Sequence, residues 1–177
     1  MLNFLSKAFL FIGLLFLIVS AYLLYLRYSP HPLTFEGTPE ASVALSFDTP
    51  KTLLIPSIGV NLPVIPSLIE NNTWQTTSRG VSFLQTSPIP GEKGNSVMYG
   101  HNWTSLLGRL PQVKPGDKVN IVMDNGSQKE FKVEYTAIVN PDQTYIIDKT
   151  EDSRLTIYTC IGFLDSKRFV VVAKPIG

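Results

Sequence analysis

The chain opens on an unbroken apolar run and then changes character. Ala8 to Leu26, AFLFIGLLFLIVSAYLLYL, is nineteen residues without a charge. As a helix rising about 1.5 Å per residue it would be roughly 28 Å long, close to the hydrocarbon thickness of a bilayer. Lys7 and Arg27 bracket it, and Tyr22, Tyr25 and Tyr28 gather toward one end, where aromatic residues favour a membrane interface. A secretory signal has a shorter apolar region, about 7–15 residues, followed by a small-residue cleavage site. Val19-Ser20-Ala21 has the composition of such a site but lies inside the run. The pattern therefore predicts an uncleaved transmembrane anchor over residues 8–27, preceded by a short N-terminus, residues 1–7. The flanking basic residues nearly balance, so they leave the orientation open.

Residues 28–50 carry Pro30, Pro32, Pro39 and Pro50 among scattered Ser, Thr and Gly. Proline removes a backbone donor and fixes φ, which predicts a spacer rather than a sheet or a long helix, with an arm packed on the domain as the other reading. From Lys51 short β-rich runs alternate with turn signals. Leu53–Ile55, Val60–Val64, Ser96–Tyr99, Val119–Met123, Glu130–Val139, Thr144–Ile147, Arg154–Thr159 and Phe169–Ala173 read as strands. Asp124-Asn125-Gly126 is a favoured hairpin turn between the fourth and fifth. About eight strands at this spacing predict an all-β barrel or sandwich over residues 51–177. Helical periodicity is confined to two short candidates, residues 67–74 and 104–110.

Charge narrows the function. The formal net charge is +1 and charged residues are 16% of the chain. That gives no basic field able to hold nucleic acid by counterion release. One cysteine and two histidines, His31 and His101, cannot build a structural zinc site, which takes about four such ligands. No metal or cofactor is expected. Asp142, Asp148, Glu151 and Asp152 lie in the 140–153 segment and read as solvated acidic positions.

The remaining chemistry sits at strand ends. Leu155–Cys160 is a β-branched and aromatic run that ends on the only cysteine. A loop follows, and Arg168 opens the next strand. If these two strands pair antiparallel, Cys160 and Arg168 meet at one rim. A thiolate is the nucleophilic form of cysteine, and a guanidinium both favours it and can bind a developing oxyanion. His101 ends another apolar strand, directly after Gly100, and an imidazole can move the proton that acyl transfer requires. Each residue alone has an ordinary structural explanation: a small buried thiol, a surface ion pair, a hydrogen-bonded core histidine. Together they predict a cysteine enzyme. His31, among the prolines, reads as a spacer residue.

These residues resemble the sortase family. Thr156-Ile157-Tyr158-Thr159-Cys160 is similar to its Thr-Leu-x-Thr-Cys motif, with Ile157 for leucine. Gly94–His101 resembles its histidine segment, Arg168 stands where the family places an arginine, and Ile55–Val64 resembles its opening strands. The resemblance implies a closed eight-stranded barrel with short helices, a membrane-anchored chain and an extracytoplasmic catalytic domain, residues 1–7 being cytoplasmic. It further implies a transpeptidase that cuts a Leu-Pro-x-Thr-Gly-like sorting signal through a Cys160 thioacyl intermediate. The acyl group would pass to an amine of a cell-wall precursor or a pilin lysine. Partners would be surface proteins or pilins with a C-terminal sorting signal, the amine acceptor and the membrane. His101 would be general acid and base, Arg168 would stabilise the oxyanion, and Thr159 would bind substrate. The 140–153 loop would help form the groove. The competing readings are an extracytoplasmic cysteine protease and a non-catalytic β-barrel assembly module. Cysteine-before-histidine order and a Ser-His-Gly-Cys block, which mark papain-like and L,D-transpeptidase enzymes, are both missing from the sequence.

Overall fold

The structure is a computed structural model that describes residues 2–28, 33, 48–70 and 73–176. It divides into two compact units, Met1–His31 and Pro32–Gly177. The first contains helix α1, Leu2–Tyr28. Within it Ser6–Tyr25 is long and apolar enough to cross a membrane, and large apolar side chains from Phe9 to Tyr25 are exposed. Helices with apolar residues on every face belong in a hydrophobic solvent rather than in water.

The second unit is built on ten strands among the described residues: β1 Pro50–Ile55, β2 Val60–Ser67, β3 Ile69–Glu70, β4 Thr73–Trp74, β5 Val81–Leu84, β6 Gly94–Gly100, β7 Lys118–Met123, β8 Gln128–Val139, β9 Ser153–Ile161 and β10 Lys167–Pro175. Eight close into a barrel in the order β1-β2-β5-β6-β9-β10-β8-β7, and β3-β4 form a separate two-stranded ribbon. The barrel is the one expected, with one member exchanged. Thr144–Ile147 is a 3₁₀ turn and not a strand. Its place in the barrel belongs to β5, whose four residues are all buried and carry no alternation to announce them. Residues 67–74, read as a helical candidate, run from the end of β2 into the β3-β4 ribbon. In the other candidate, residues 104–109 form turns and a 3₁₀ turn follows at Leu110–Gln112.

Local sequence explains the tight connections. Pro56 starts a 3₁₀ turn that Gly59 ends in the left-handed region (φ 65°), returning the chain as β2. Gly126 (φ 84°) closes the β7-β8 hairpin, where Ser127 N–H donates to Asn125 Oδ1 at 2.7 Å. Alternation is clear in β7, as in a strand with one wet face. β6, the central part of β9 and all but the ends of β10 are buried on both faces.

The cause is a second core. Inside the barrel lie Leu53, Ile55, Phe83, Met98, Ile121, Phe131, Ile157, Val171 and their neighbours. On the opposite faces of the central strands, Val97, Tyr99, Tyr158, Cys160, Val170 and Val172 join Trp74, Val139, Ile146, Ile147 and Leu33. Tyr99 and Tyr158 stack at 5.5 Å and 15°, and Trp74 meets both edge-on at 5.2 and 6.2 Å. Such geometries suit the ring quadrupoles. The phenols are satisfied by backbone: Tyr99 donates to Gln75 O at 2.5 Å and Tyr158 to Leu33 O at 2.8 Å. Of the expected proline-bearing spacer, residues 29–32 and 34–47, His31 among them, lie outside the described residues, while Tyr28 ends α1 and Pro50 opens β1. At Leu33, however, the chain is buried against the domain, with 1% of the residue exposed.

Candidate active site

Strand pairing sets the site. β6 and β9 run parallel, with Gly100 opposite Thr159. β9 and β10 run antiparallel, with Cys160 opposite Arg168. His101, one residue beyond β6, is therefore level with Cys160, and the sequence-predicted triad shares one rim. Thr159 locks this register: it is fully buried, and its hydroxyl donates to Gly100 O at 2.8 Å. Its side chain is thus committed to the strand that carries the histidine. Gly100 also admits Leu107, whose Cδ1 would stand 3.2 Å from any added Cβ. The space that the missing side chain leaves is filled by the domain's own core.

Cys160 is buried, with 4% exposed. Burial pushes its thiol up to about 12; the Arg168 guanidinium opposes that shift and Asp165 adds to it. Arg168 is buried too, and its Nη1 donates to Asp165 O at 2.8 Å and to Lys167 O at 3.2 Å. The half-buried His101 stacks on Trp103 with centroids 4.6 Å apart and planes 10° from parallel. Its carbonyl accepts from Leu107 N at 3.1 Å. Burial holds its imidazole below the usual histidine value, and Asp165 offsets part of the shift. At neutral pH both groups are therefore mainly uncharged, and the thiolate–imidazolium pair is a minor form of the resting site.

Supporting residues lie nearby that sequence reasoning passed over. Asn95, buried in β6, donates through Nδ2 to Ile146 O (3.1 Å) and Asp148 O (3.2 Å) and accepts from Thr156 Oγ1 (2.6 Å). It joins the cysteine strand to the 3₁₀ turn whose isoleucines cover the outer core. The signal was an asparagine inside an apolar strand, a residue type depleted there. Asn102, beside the histidine, donates to Asp165 Oδ1 at 2.8 Å. In the acidic segment, Asp152 is gripped by Arg154 (2.6–3.0 Å) and approached by Lys174 (3.5 Å), and Glu151 pairs with Lys93 at 2.5 Å.

The sequence profile of the sortase domain matches residues 53–176. The chain belongs to the sortase family. It is 31% identical over 127 residues to sortase A of Bacillus anthracis, a stretch covering 70% of this chain and 58% of that protein. It is 28% identical over 129 residues to sortase D of Bacillus subtilis, covering 70% and 62%. The chain thus spans little more than half the length of the curated relatives it matches. Among solved structures, sortase A of Listeria monocytogenes superposes with a TM-score of 0.59 at 26% identity, covering 73% of this chain and 88% of that one. Sortase C of Clostridium perfringens gives 0.63 at 21%, covering 90% and 85%, and this likeness speaks to the fold alone. The closed eight-stranded barrel is therefore the sortase fold.

Proposed function

We propose that this chain is a membrane-anchored cysteine transpeptidase whose catalytic groups are Cys160, His101 and Arg168. The observation that carries the reading is the shared register of three strands: Gly100 against Thr159, and Cys160 against Arg168. A buried guanidinium is costly unless it faces charge or good acceptors. Placed opposite a buried thiol, it stabilises negative charge on sulfur or on the substrate oxygen that sulfur attacks.

The reaction begins when the Cys160 proton passes to His101 and Sγ attacks the carbonyl carbon of the scissile peptide bond. Arg168 faces the oxyanion that forms. His101, now imidazolium, gives its proton to the departing amine, leaving a thioester on Cys160. An incoming amine then attacks the thioester, His101 takes its proton, and a new amide releases the thiol. Thr159 serves this site by holding the histidine strand in register. The sortase resemblance supports a Leu-Pro-x-Thr-Gly-like sorting signal as donor, carried by surface proteins or pilins. It supports a cell-wall precursor or pilin lysine as amine. The 20-residue span Ser6–Tyr25 supports a single-pass anchor over residues 8–27, and the sortase resemblance supports an uncleaved anchor with residues 51–177 as the catalytic domain outside the cell.

The burial of Cys160 favours a second reading, a non-catalytic β-barrel module in which the thiol only packs. One experiment separates the readings. The full chain in detergent micelles is incubated with Leu-Pro-x-Thr-Gly peptides, with and without triglycine. The transpeptidase reading expects a triglycine-capped product that disappears in Cys160→Ala. Hydrolysis indifferent to triglycine points instead to a cysteine protease, and no turnover by folded protein points to the packing module.

A further inference from the structure

The connection between β9 and β10 contains two successive non-glycine residues in the left-handed region, Leu164 (φ 50°) and Asp165 (φ 58°). An L-residue pays a steric cost there, and such strain persists only where the surroundings demand it. Apolar burial does not supply the demand, because Phe163 is 81% exposed and Leu164 49%. Glycine is the ordinary solution for such a turn, and the chain uses one at Gly162 (φ 84°) but not at 164 or 165. What the conformation achieves is seen at Asp165. Its carbonyl accepts from Arg168 Nη1 at 2.8 Å, and its Oδ1 accepts from Asn102 Nδ2 at 2.8 Å. Asn102 follows His101 directly, and Arg168 faces Cys160 across the strands.

We propose that Asp165 is the positioning residue of this site, its carbonyl fixing the Arg168 guanidinium while its carboxylate ties the histidine segment to the cysteine loop. The proposal rests on the functional reading above and adds a residue outside its triad. The left-handed backbone is what points both acceptors inward from a five-residue connection, Gly162–Ser166. The titratable and charged groups around Asp165 are His101 beyond β6, Cys160 on β9, and Lys167 and Arg168 on β10. Its carboxylate favours the protonated forms of both His101 and Cys160. Loss of that charge therefore lowers both values. The acid limb of the rate profile moves to lower pH, and thiol alkylation at a fixed pH below the thiol value becomes faster.

The test uses the full chain in detergent micelles with Asp165→Ala, Asp165→Gly, Asp165→Asn and Asn102→Ala. Asp165→Gly relieves the backbone strain, so it keeps the test open if Asp165→Ala folds poorly. Asp165→Gly and Asn102→Ala are each expected to lower kcat about 10-fold or more with little change in KM, and their double variant no further than the worse single. Asp165→Asn retains an acceptor for Asn102 and is expected to recover most of kcat while its acid limb lies at lower pH. Single variants with wild-type kcat and pH profile would overturn the proposal, as would full additivity in the double variant. Should the wild type show no acyl transfer, the functional reading fails first. Ring NMR titration of His101 and the pH dependence of Cys160 alkylation still read the influence of Asp165: unshifted curves in Asp165→Asn reject it, and curves moved to lower pH support it.

Discussion

Cys160 and His101 are tuned in opposite directions by one cause. Burial disfavours charge, so it raises the thiol to about 12 and lowers the imidazole. A reaction that needs thiolate with imidazolium gains rate as pH rises through the histidine value. It loses rate only as pH passes the thiol value, because between the two the fraction in the active ion pair is constant. The expected kcat/KM profile thus has an acid limb below the ordinary histidine value and no alkaline limb near the ordinary thiol value. Arg168 is the group that opposes burial at sulfur. Arg168→Ala should push the thiol higher still, so that Cys160 alkylation by iodoacetamide at pH 9 slows. Unchanged alkylation in that variant, or a wild-type thiol half-ionised near its ordinary value, contradicts the electrostatic account of the rim.

At the scale of elements, the site depends on how β6, β9 and β10 are held. Their apolar runs were legible as strands because Val97–Tyr99, Leu155–Tyr158 and Phe169–Ala173 are β-branched and aromatic. The antiparallel pairing that seats Cys160 opposite Arg168 entered the sequence reading only as a condition, and the structure meets it. Thr144–Ile147 has the same composition and is nonetheless a 3₁₀ turn. Asn95 takes the carbonyls of Ile146 and Asp148, and that side-chain grip is invisible to a propensity argument. Val81–Leu84 failed as a signal for the converse reason: four residues buried on both faces show no period. Asn95→Ala strips partners from two carbonyls and from Thr156 Oγ1. Its expected cost is about 2–4 kcal/mol in urea unfolding, from buried polar groups left unsatisfied. A loss below about 0.5 kcal/mol, the range of inert surface changes, means the three bonds do not hold the turn.

At the scale of the whole molecule, an apolar helix and a closed barrel are separable in the sequence because their hydrophobic patterns differ in kind: one unbroken run, then short runs between turns. The meeting of His101, Cys160 and Arg168 at one rim was legible for a related reason, since each stands at a strand end. Asp165 was not, because its part depends on a left-handed backbone and on a partner 63 residues away. Leu33 lies in the segment read first as a spacer and second as an arm packed on the domain, and the structure buries it beside Tyr158. The central claim is that the barrel presents Cys160 as an acyl-accepting nucleophile. Intact-mass measurement of the full chain, quenched in acid during turnover of a sorting-signal peptide without added amine, tests it most directly. The account predicts a mass increase equal to the acyl fragment, mapped to Cys160, discharged by an amine such as triglycine and missing in Cys160→Ala. A folded chain that cleaves the peptide with no adduct, or carries the adduct elsewhere, contradicts it.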